Sequence, residues 1–211
     1  YYSSTNPQDI VDLMEPYEFK NVNAYLDIGC ANGDKTLAIG KFLKAKQIHG
    51  ADLKCFDGEI QRKEGIYFQA IERDNKLPYE DNTFDVISTL HTLHHIEDRN
   101  NILDEIKRVL KPDGVLIIRE HDVKNEFDTK LIDVEHFLYM LSIKERFSLS
   151  SIEKYESYYM TRKETQAILD KKGFESDKMY KSKKNNYNKS YIEIYKEKEE
   201  EVEEKAEEEV D

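Results

Sequence analysis

Short apolar runs alternating with helix-like stretches constrain this chain more than any other feature. "AYLDI", "QIHGADL", "IYFQAI", "FDVISTL" and "GVLIIRE" read as strands, and "FESDKMY" and "SYIEIYK" add two more near the end. Between strands, "GDKTLAIGKFLKA" and "DRNNILDEIKRVLKPDG" carry helical spacing. In the second, Ile102, Leu103, Ile106, Val109 and Leu110 recur on one face, Asp98 is placed as a cap, and Pro112 with Gly114 supplies the stop. This order predicts β-α-β units around a mostly parallel sheet. Apolar residues make up only 38% of the chain against 36% charged, but they are gathered into runs, so one core can form from 211 residues.

Residues 127–147 form an amphipathic stretch inserted between two strands, with Phe127, Leu131, Val134, Leu138 and Leu141 close to one face. "TRKETQAILDKKG" reads as a last capped helix ended by glycine. The formal net charge is −12, yet ten Asp or Glu against Lys198 and Lys205 place −8 of it in residues 197–211 and leave −4 for the rest. The expected organisation is one domain over residues 1–196, with 127–160 as a substrate-capping insertion, followed by an acidic, disordered tail over 197–211. That tail is a candidate surface for a partner protein. Cys30 and Cys55 alone offer no disulfide framework and suggest a reducing, cytoplasmic setting. No apolar run approaches the roughly 18 residues needed to span a bilayer.

In an open parallel sheet, ligands bind beyond the carboxyl ends of the strands. "AYLDIGCANGD" is such an end: Gly29 and Gly33 permit close backbone approach, and the helix beginning near Gly33 turns unpaired N–H groups toward the same place. Asp52 follows at the end of the next strand, where a carboxylate commonly takes the two hydroxyls of a ribose. A dinucleotide fingerprint would need G-x-G-x-x-G around a pyrophosphate. Here the turn has Gly29, Ala31 and Gly33, lacks the third glycine, and is flanked by Asp27 and Asp34, which would repel a pyrophosphate. Those carboxylates suit a cationic ligand such as S-adenosylmethionine, with its sulfonium and ammonium groups.

"YLDIGCANGDKT" resembles the first motif of the class I S-adenosylmethionine-dependent methyltransferases, with Ala31 in place of the middle glycine, and "GADL" is similar to their acidic second-strand motif. "LPYEDNTFDVISTLHTLHHIEDRNNILDEIKRVLKPDGVLII" resembles the later motifs of the type 11-like branch nearly end to end. The resemblance covers about residues 24–118 and rests on the ordered set. It implies a Rossmann-like α/β fold of seven mostly parallel strands, the last antiparallel, with helices on both faces. It also implies that Asp27, Gly29, Cys30, Ala31 and Gly33 surround the methionine part of the cofactor, that Asp52 and Leu53 meet the ribose, and that Thr89, Leu90 and His91 lie near the sulfonium. The family's adenine-binding carboxylate would fall four residues before Leu77, where Arg73 stands, so Asp74 is assigned the adenine edge.

His91, His94 and His95 look like a metal cluster, but the resembling family carries L-H-H without metal and no Cys or acidic ligand spacing accompanies them, so no metal is expected. Cys30 reads as a packed turn residue. At the carboxyl end of the fifth strand, Glu120, His121 and Asp122 are the candidate catalytic group, a histidine between carboxylates being able to act as a general base. Tyr139 and His136 are candidates to line the cap. The lysine-rich segment 171–190, with Tyr180 and Tyr187 interleaved, carries +5 and offers a surface for nucleic acid. The expected activity is methyl transfer to a small-molecule or lipid-like acceptor. The alternatives are RNA or protein methylation, and a catalytically silent subunit acting through a partner; an NAD-dependent oxidoreductase ranks below these.

Overall fold

The structure is a computed structural model that describes residues 6–53, 63–71, 76–142, 155–181 and 189–198, with backbone alone for 139–142. Asp74, Cys55, Lys183, Lys184, Tyr187, the side chains of Tyr139 and Leu141, and all of the tail beyond Lys198 lie outside the described residues.

The chain runs α1 (Pro7–Met14), β1 (Ala24–Ile28), α2 (Asp34–Phe42), β2 (Gln47–Leu53), β3 (Tyr67–Ile71), β4 (Phe84–Leu90), a 3₁₀ turn (Leu93–His95), α3 (Arg99–Val109), β5 (Leu110–His121), α4 (Glu126–Ser142), α5 (Arg162–Lys171), β6 (Phe174–Lys181) and β7 (Ser190–Glu197). The seven strands form one sheet ordered β3-β2-β1-β4-β5-β7-β6. β7 alone runs antiparallel, pairing Leu116 with Tyr195 on one side and Ser176 with Tyr195 on the other. The strand order reverses between β1 and β4, where crossovers leave in opposite directions and open a crevice at the carboxyl ends.

Strand alternation feeds two cores. On one face Leu26, Ile28, Ile87, Leu116 and Ile118 meet Ile102, Leu103, Ile106 and Val109 of α3 and Leu169 of α5. On the other, Tyr25, Val86, Leu90, Ile117, Ile192 and Ile194 meet Ile10 and Met14 of α1 and Ile39 of α2. β1 is buried at all five positions, as a central parallel strand must be. β6 lies at the edge and exposes Glu175, Asp177 and Lys178, charges that oppose pairing with another chain.

The helix caps follow the sequence closely. Asp98 accepts from Asn100 N at 3.0 Å, and Thr161 and Glu164 close a reciprocal capping box at the start of α5. Three differences stand out. α1 is an additional helix, and Asn6 before Pro7 is its local signal, the Asn6 carboxamide accepting from Gln8 N at 3.0 Å. α3 ends at Val109, before Pro112 and Gly114, because Leu110 already pairs with Phe84 as the start of β5. On α4, Phe127, Leu131, Val134 and Leu138 stand exposed, while Ile132 and Asp128 are the buried residues among the described side chains. The apolar stripe read from periodicity therefore faces outward.

Candidate functional site

At the end of β1 the chain turns through Gly29 (φ +78°), Ala31 (φ +46°) and Gly33 (φ +85°) before α2 begins. The two glycines have a packing reason as well as a conformational one. A Cβ on Gly29 would lie 2.2 Å from Thr92 Oγ1, and one on Gly33 would lie 2.4 Å from Ile66 Cδ1, so protein fills the space beside each α-carbon. Cys30 is buried against Gly50, where an added Cβ would come within 2.7 Å of its sulfur. The turn is also tied to β2: Gly29 N donates to Ala51 O at 2.8 Å.

Asp27 is 2% exposed. Its two oxygens accept from Thr36 Oγ1 at 2.6 Å and Ser88 Oγ at 2.7 Å, so hydroxyls of α2 and β4 compensate its burial within the protein. Burial nonetheless lifts its pKa to about 6, against the pull of those two bonds and of nearby Lys35. Asp52 is partly exposed at the end of β2 and accepts from Ala31 N at 2.6 Å and Leu53 N at 2.8 Å. It thus links the glycine turn to the second strand. Thr89, at the end of β4, is fully buried and its hydroxyl meets no hydrogen-bond partner among the described residues. At the start of α2 the Asn32 side-chain oxygen accepts from Asp34 N at 3.1 Å, Gly33 itself offering no side chain. A buried hydroxyl, a helix N-terminus and a carboxylate at adjacent strand ends are groups that suit an adenosine-type cation with an amino-acid arm.

Beyond β4 the chain brings together residues distant in sequence. Glu120, at the end of β5, accepts from Leu93 N at 2.8 Å through one oxygen and meets His94 Nδ1 at 2.6 Å through the other. It thereby holds the L-H-H turn in place. His94 is 3% exposed, and burial pushes its pKa well below the usual imidazole value while pushing that of Glu120 up. His121 stacks on His91 with ring centroids 4.3 Å apart and lies 5.3 Å from the ring of His94. His91 Nε2 also meets Ser190 Oγ at 2.6 Å. Asp122 turns to other work: it accepts from Arg162 N at 3.0 Å and pairs with Lys124 at 3.3 Å. Of the three candidate catalytic residues, Glu120 and His121 therefore enter the histidine cluster, and Asp122 anchors the start of α5.

Residues 155–160 close the other side. Tyr158 N donates to His94 O at 2.7 Å, and the Arg99 guanidinium donates to Tyr158 O. Tyr155 and Tyr159 gather round His136 of α4, Tyr159 OH lying 3.0 Å from both His136 Nδ1 and Asp133 Oδ1. Five of the six histidines of the chain, at 91, 94, 95, 121 and 136, thus share one wall. The sequence signal for this wall was the density of histidine at the end of β4 and β5. Tyr155 and Tyr159 had no such signal.

The fold and the set of groups at the β1–β4 reversal define a nucleotide-cofactor α/β protein of the class I methyltransferase kind. Residues 26–118 match the family Methyltransf_11, a methyltransferase domain, and the chain carries a class I, type 11-like S-adenosylmethionine-dependent methyltransferase domain. Among curated relatives, it is 27% identical over 141 residues to the demethylmenaquinone methyltransferase of Bacillus subtilis, covering 62% of this chain and 59% of that one. It is 32% identical over 103 residues to the 27-O-demethylrifamycin SV methyltransferase of Amycolatopsis mediterranei, covering 44% and 36%. The chain spans about half the length of the curated relatives it matches. A solved S-adenosylmethionine-dependent methyltransferase from Aquifex aeolicus shares the fold, with a TM-score of 0.60 at 18% identity over 90% of this chain and 88% of that one. The cofactor of this family is S-adenosyl-L-methionine. Among the described residues, no helix is long and apolar enough to cross a membrane.

Proposed function

We propose that the chain transfers a methyl group from S-adenosylmethionine to a small-molecule or lipid-like acceptor. The observation that carries this reading is the meeting, at one crevice, of the glycine turn, Asp52 and Thr89 with a wall of imidazole and phenol rings drawn from β4, β5, α4 and residues 155–160. When bound, the cofactor supplies a methyl group already activated by a positive sulfur. Asp27, Gly29, Cys30, Ala31 and Gly33 would frame its methionine arm, Asp52 and Leu53 its ribose, Asp74 its adenine edge, and Thr89, Leu90 and His91 the neighbourhood of the sulfur.

The remaining task for the protein is alignment. Holding an acceptor atom in line with the methyl carbon at near-attack distance contributes up to roughly 7 to 11 kcal/mol. The rings of His94, His121, His136, Tyr155 and Tyr159 suit a flat or apolar acceptor, which they would stack against while excluding water. An acceptor that loses a proton on attack would give it to His121, with Glu120 beside it and Asp122 fixing the strand end. Within the expected capping insertion 127–160, the described residues 127–138 and 155–160 would cap the acceptor. Two relatives named for a rifamycin and a menaquinone precursor act on small molecules by their names, which supports this acceptor class. The lysines that favour nucleic acid are partly neutralised: Lys172 pairs with Asp104 and Lys189 with Asp128.

Labelled-methyl transfer into fractionated cell extract tests the reading. Counts should enter the lipid and small-molecule fractions, and counts confined to RNA or protein would replace the acceptor class. Titration with S-adenosylmethionine tests the step before it, because a chain showing neither heat nor thermal stabilisation at millimolar cofactor would be a silent subunit.

A further inference from the structure

We infer that His94, His95 and His136 form a binding site for a zinc-class divalent transition-metal ion. One ring nitrogen from each lies within 4.8 Å of the other two, bringing together two neighbours after β4 and one residue of α4. A tetrahedral ion held at about 2.0–2.1 Å from each nitrogen would draw them to about 3.4 Å apart, a contraction on the scale of side-chain rotation.

The hydrogen-bond partners of the three rings support ligation beside proximity. His95 Nδ1 lies 3.1 Å from the carbonyl of Glu156, which can only accept, so Nδ1 carries the proton. His94 Nδ1 faces a Glu120 oxygen at 2.6 Å. His136 Nδ1 is held between two phenols, Tyr155 OH and Tyr159 OH, the latter 3.0 Å away and also 3.0 Å from Asp133 Oδ1. Each ring thus has Nδ1 engaged by the protein, for His94 and His95 by an acceptor oxygen, which leaves Nε2 as the nitrogen to offer an ion. For His94 that nitrogen is buried and meets no hydrogen-bond partner among the described residues. Imidazoles oriented by carboxylate and carbonyl partners, as His94 is by Glu120 and His95 by the carbonyl of Glu156, are the arrangement found around metal-bound histidines.

Three nitrogen ligands exclude magnesium and calcium, which take oxygen, and favour zinc, cobalt, nickel or copper. Three protein ligands also leave a fourth position for a water or an acceptor hydroxyl or thiol, as in catalytic rather than structural sites.

The test uses the full chain, stripped with a chelator and titrated with Co(II) as a visible probe, then with Zn(II) as competitor. One equivalent of Co(II) should bind saturably with the absorption of four-coordinate cobalt, and Zn(II) should displace it and raise the melting temperature while Mg(II) does neither. His95→Ala and His136→Ala should each weaken binding at least tenfold, and Glu120→Gln by about 10- to 100-fold through the ligand it orients. His95 is exposed, so His95→Ala keeps the test valid if the other variants fail to fold. Absence of saturable Co(II) and Zn(II) binding, equal stabilisation by Mg(II), or an unchanged affinity in His95→Ala would overturn the site.

Discussion

Gly29 shows how one residue serves both backbone and packing. Its φ of +78° already disfavours any side chain, and the Thr92 hydroxyl, which donates to Ile28 O at 3.2 Å, occupies the place of a Cβ. Gly29→Ala should destabilise the fold by about 1–3 kcal/mol in chemical denaturation. Adding Thr92→Ala should recover the part due to the clash and leave the part due to φ; no recovery would mean that strain alone operates. Asp27 makes a prediction of opposite character. Its folded pKa of about 6 lies above the ordinary carboxylate value, so between about pH 4 and 6 the folded state binds more protons than the unfolded state. Stability therefore falls as pH rises through that window, by about 2–3 kcal/mol from this group. Compared with Asp27→Asn in urea melts, the wild type should lose that much between acid and neutral pH, and a pH-independent difference would show that the carboxylate is not strained. Asp27 and the glycines were legible from the sequence as a strand end followed by a tight turn into a helix. The hydroxyls of Thr36 and Ser88 that solvate Asp27 were not, because Ser88 lies 61 residues away and becomes a neighbour only through β1–β4 pairing.

At the scale of elements, the strands were the most readable part, since β1, β2 and β4 start and end where apolar runs meet turn residues. α4 was the least readable: its stripe of Phe127, Leu131, Val134 and Leu138 has the right spacing for a core, but periodicity cannot say which side of a helix the sheet lies on. The carboxyl-terminal elements add an interaction no local pattern announces. Glu193 in β7 is fully buried, and Arg162 of α5 grips it with two nitrogens at 2.7 and 2.6 Å, joined by Gln166 at 2.9 Å. Burial alone would raise the pKa of Glu193, but the bonds from Arg162 and Ser176 outweigh it and hold the carboxyl below its usual range. Arg162→Ala should cost about 3–5 kcal/mol because a charge remains buried without its partner. Thr161→Ala, which removes only the cap of the same helix, should cost about 1 kcal/mol. Equal effects of the two variants in denaturant titrations would deny the ion pair its part in docking α5 on the sheet.

Across the whole molecule, the crevice divides the sheet into the side proposed for the cofactor, written in contiguous motifs, and the side proposed for the acceptor, assembled from distant pieces. Asp27 through Gly33 and Asp52 belong to one β-α-β unit, so spacing alone puts them together. The histidine wall joins His94, Glu120, His136 and Tyr159, and only the completed fold brings α4 and residues 155–160 over the ends of β4 and β5. Binding of S-adenosylhomocysteine should respect this division. At a hundredfold excess over its dissociation constant it should add about 2.7 kcal/mol to the stability of the fold. Hydrogen exchange should slow in the glycine turn, at the end of β2 and at the end of β4, while β6, at the far edge of the sheet, should be slowed no more than the global stability gain requires. Asp52→Ala should remove most of the stabilisation, because the carboxylate that ties Ala31 N to β2 is also the one assigned to the ribose. Full thermal stabilisation of Asp52→Ala by the ligand would place the ribose elsewhere. Local protection centred on β6 would move the cofactor away from the β1–β4 reversal altogether.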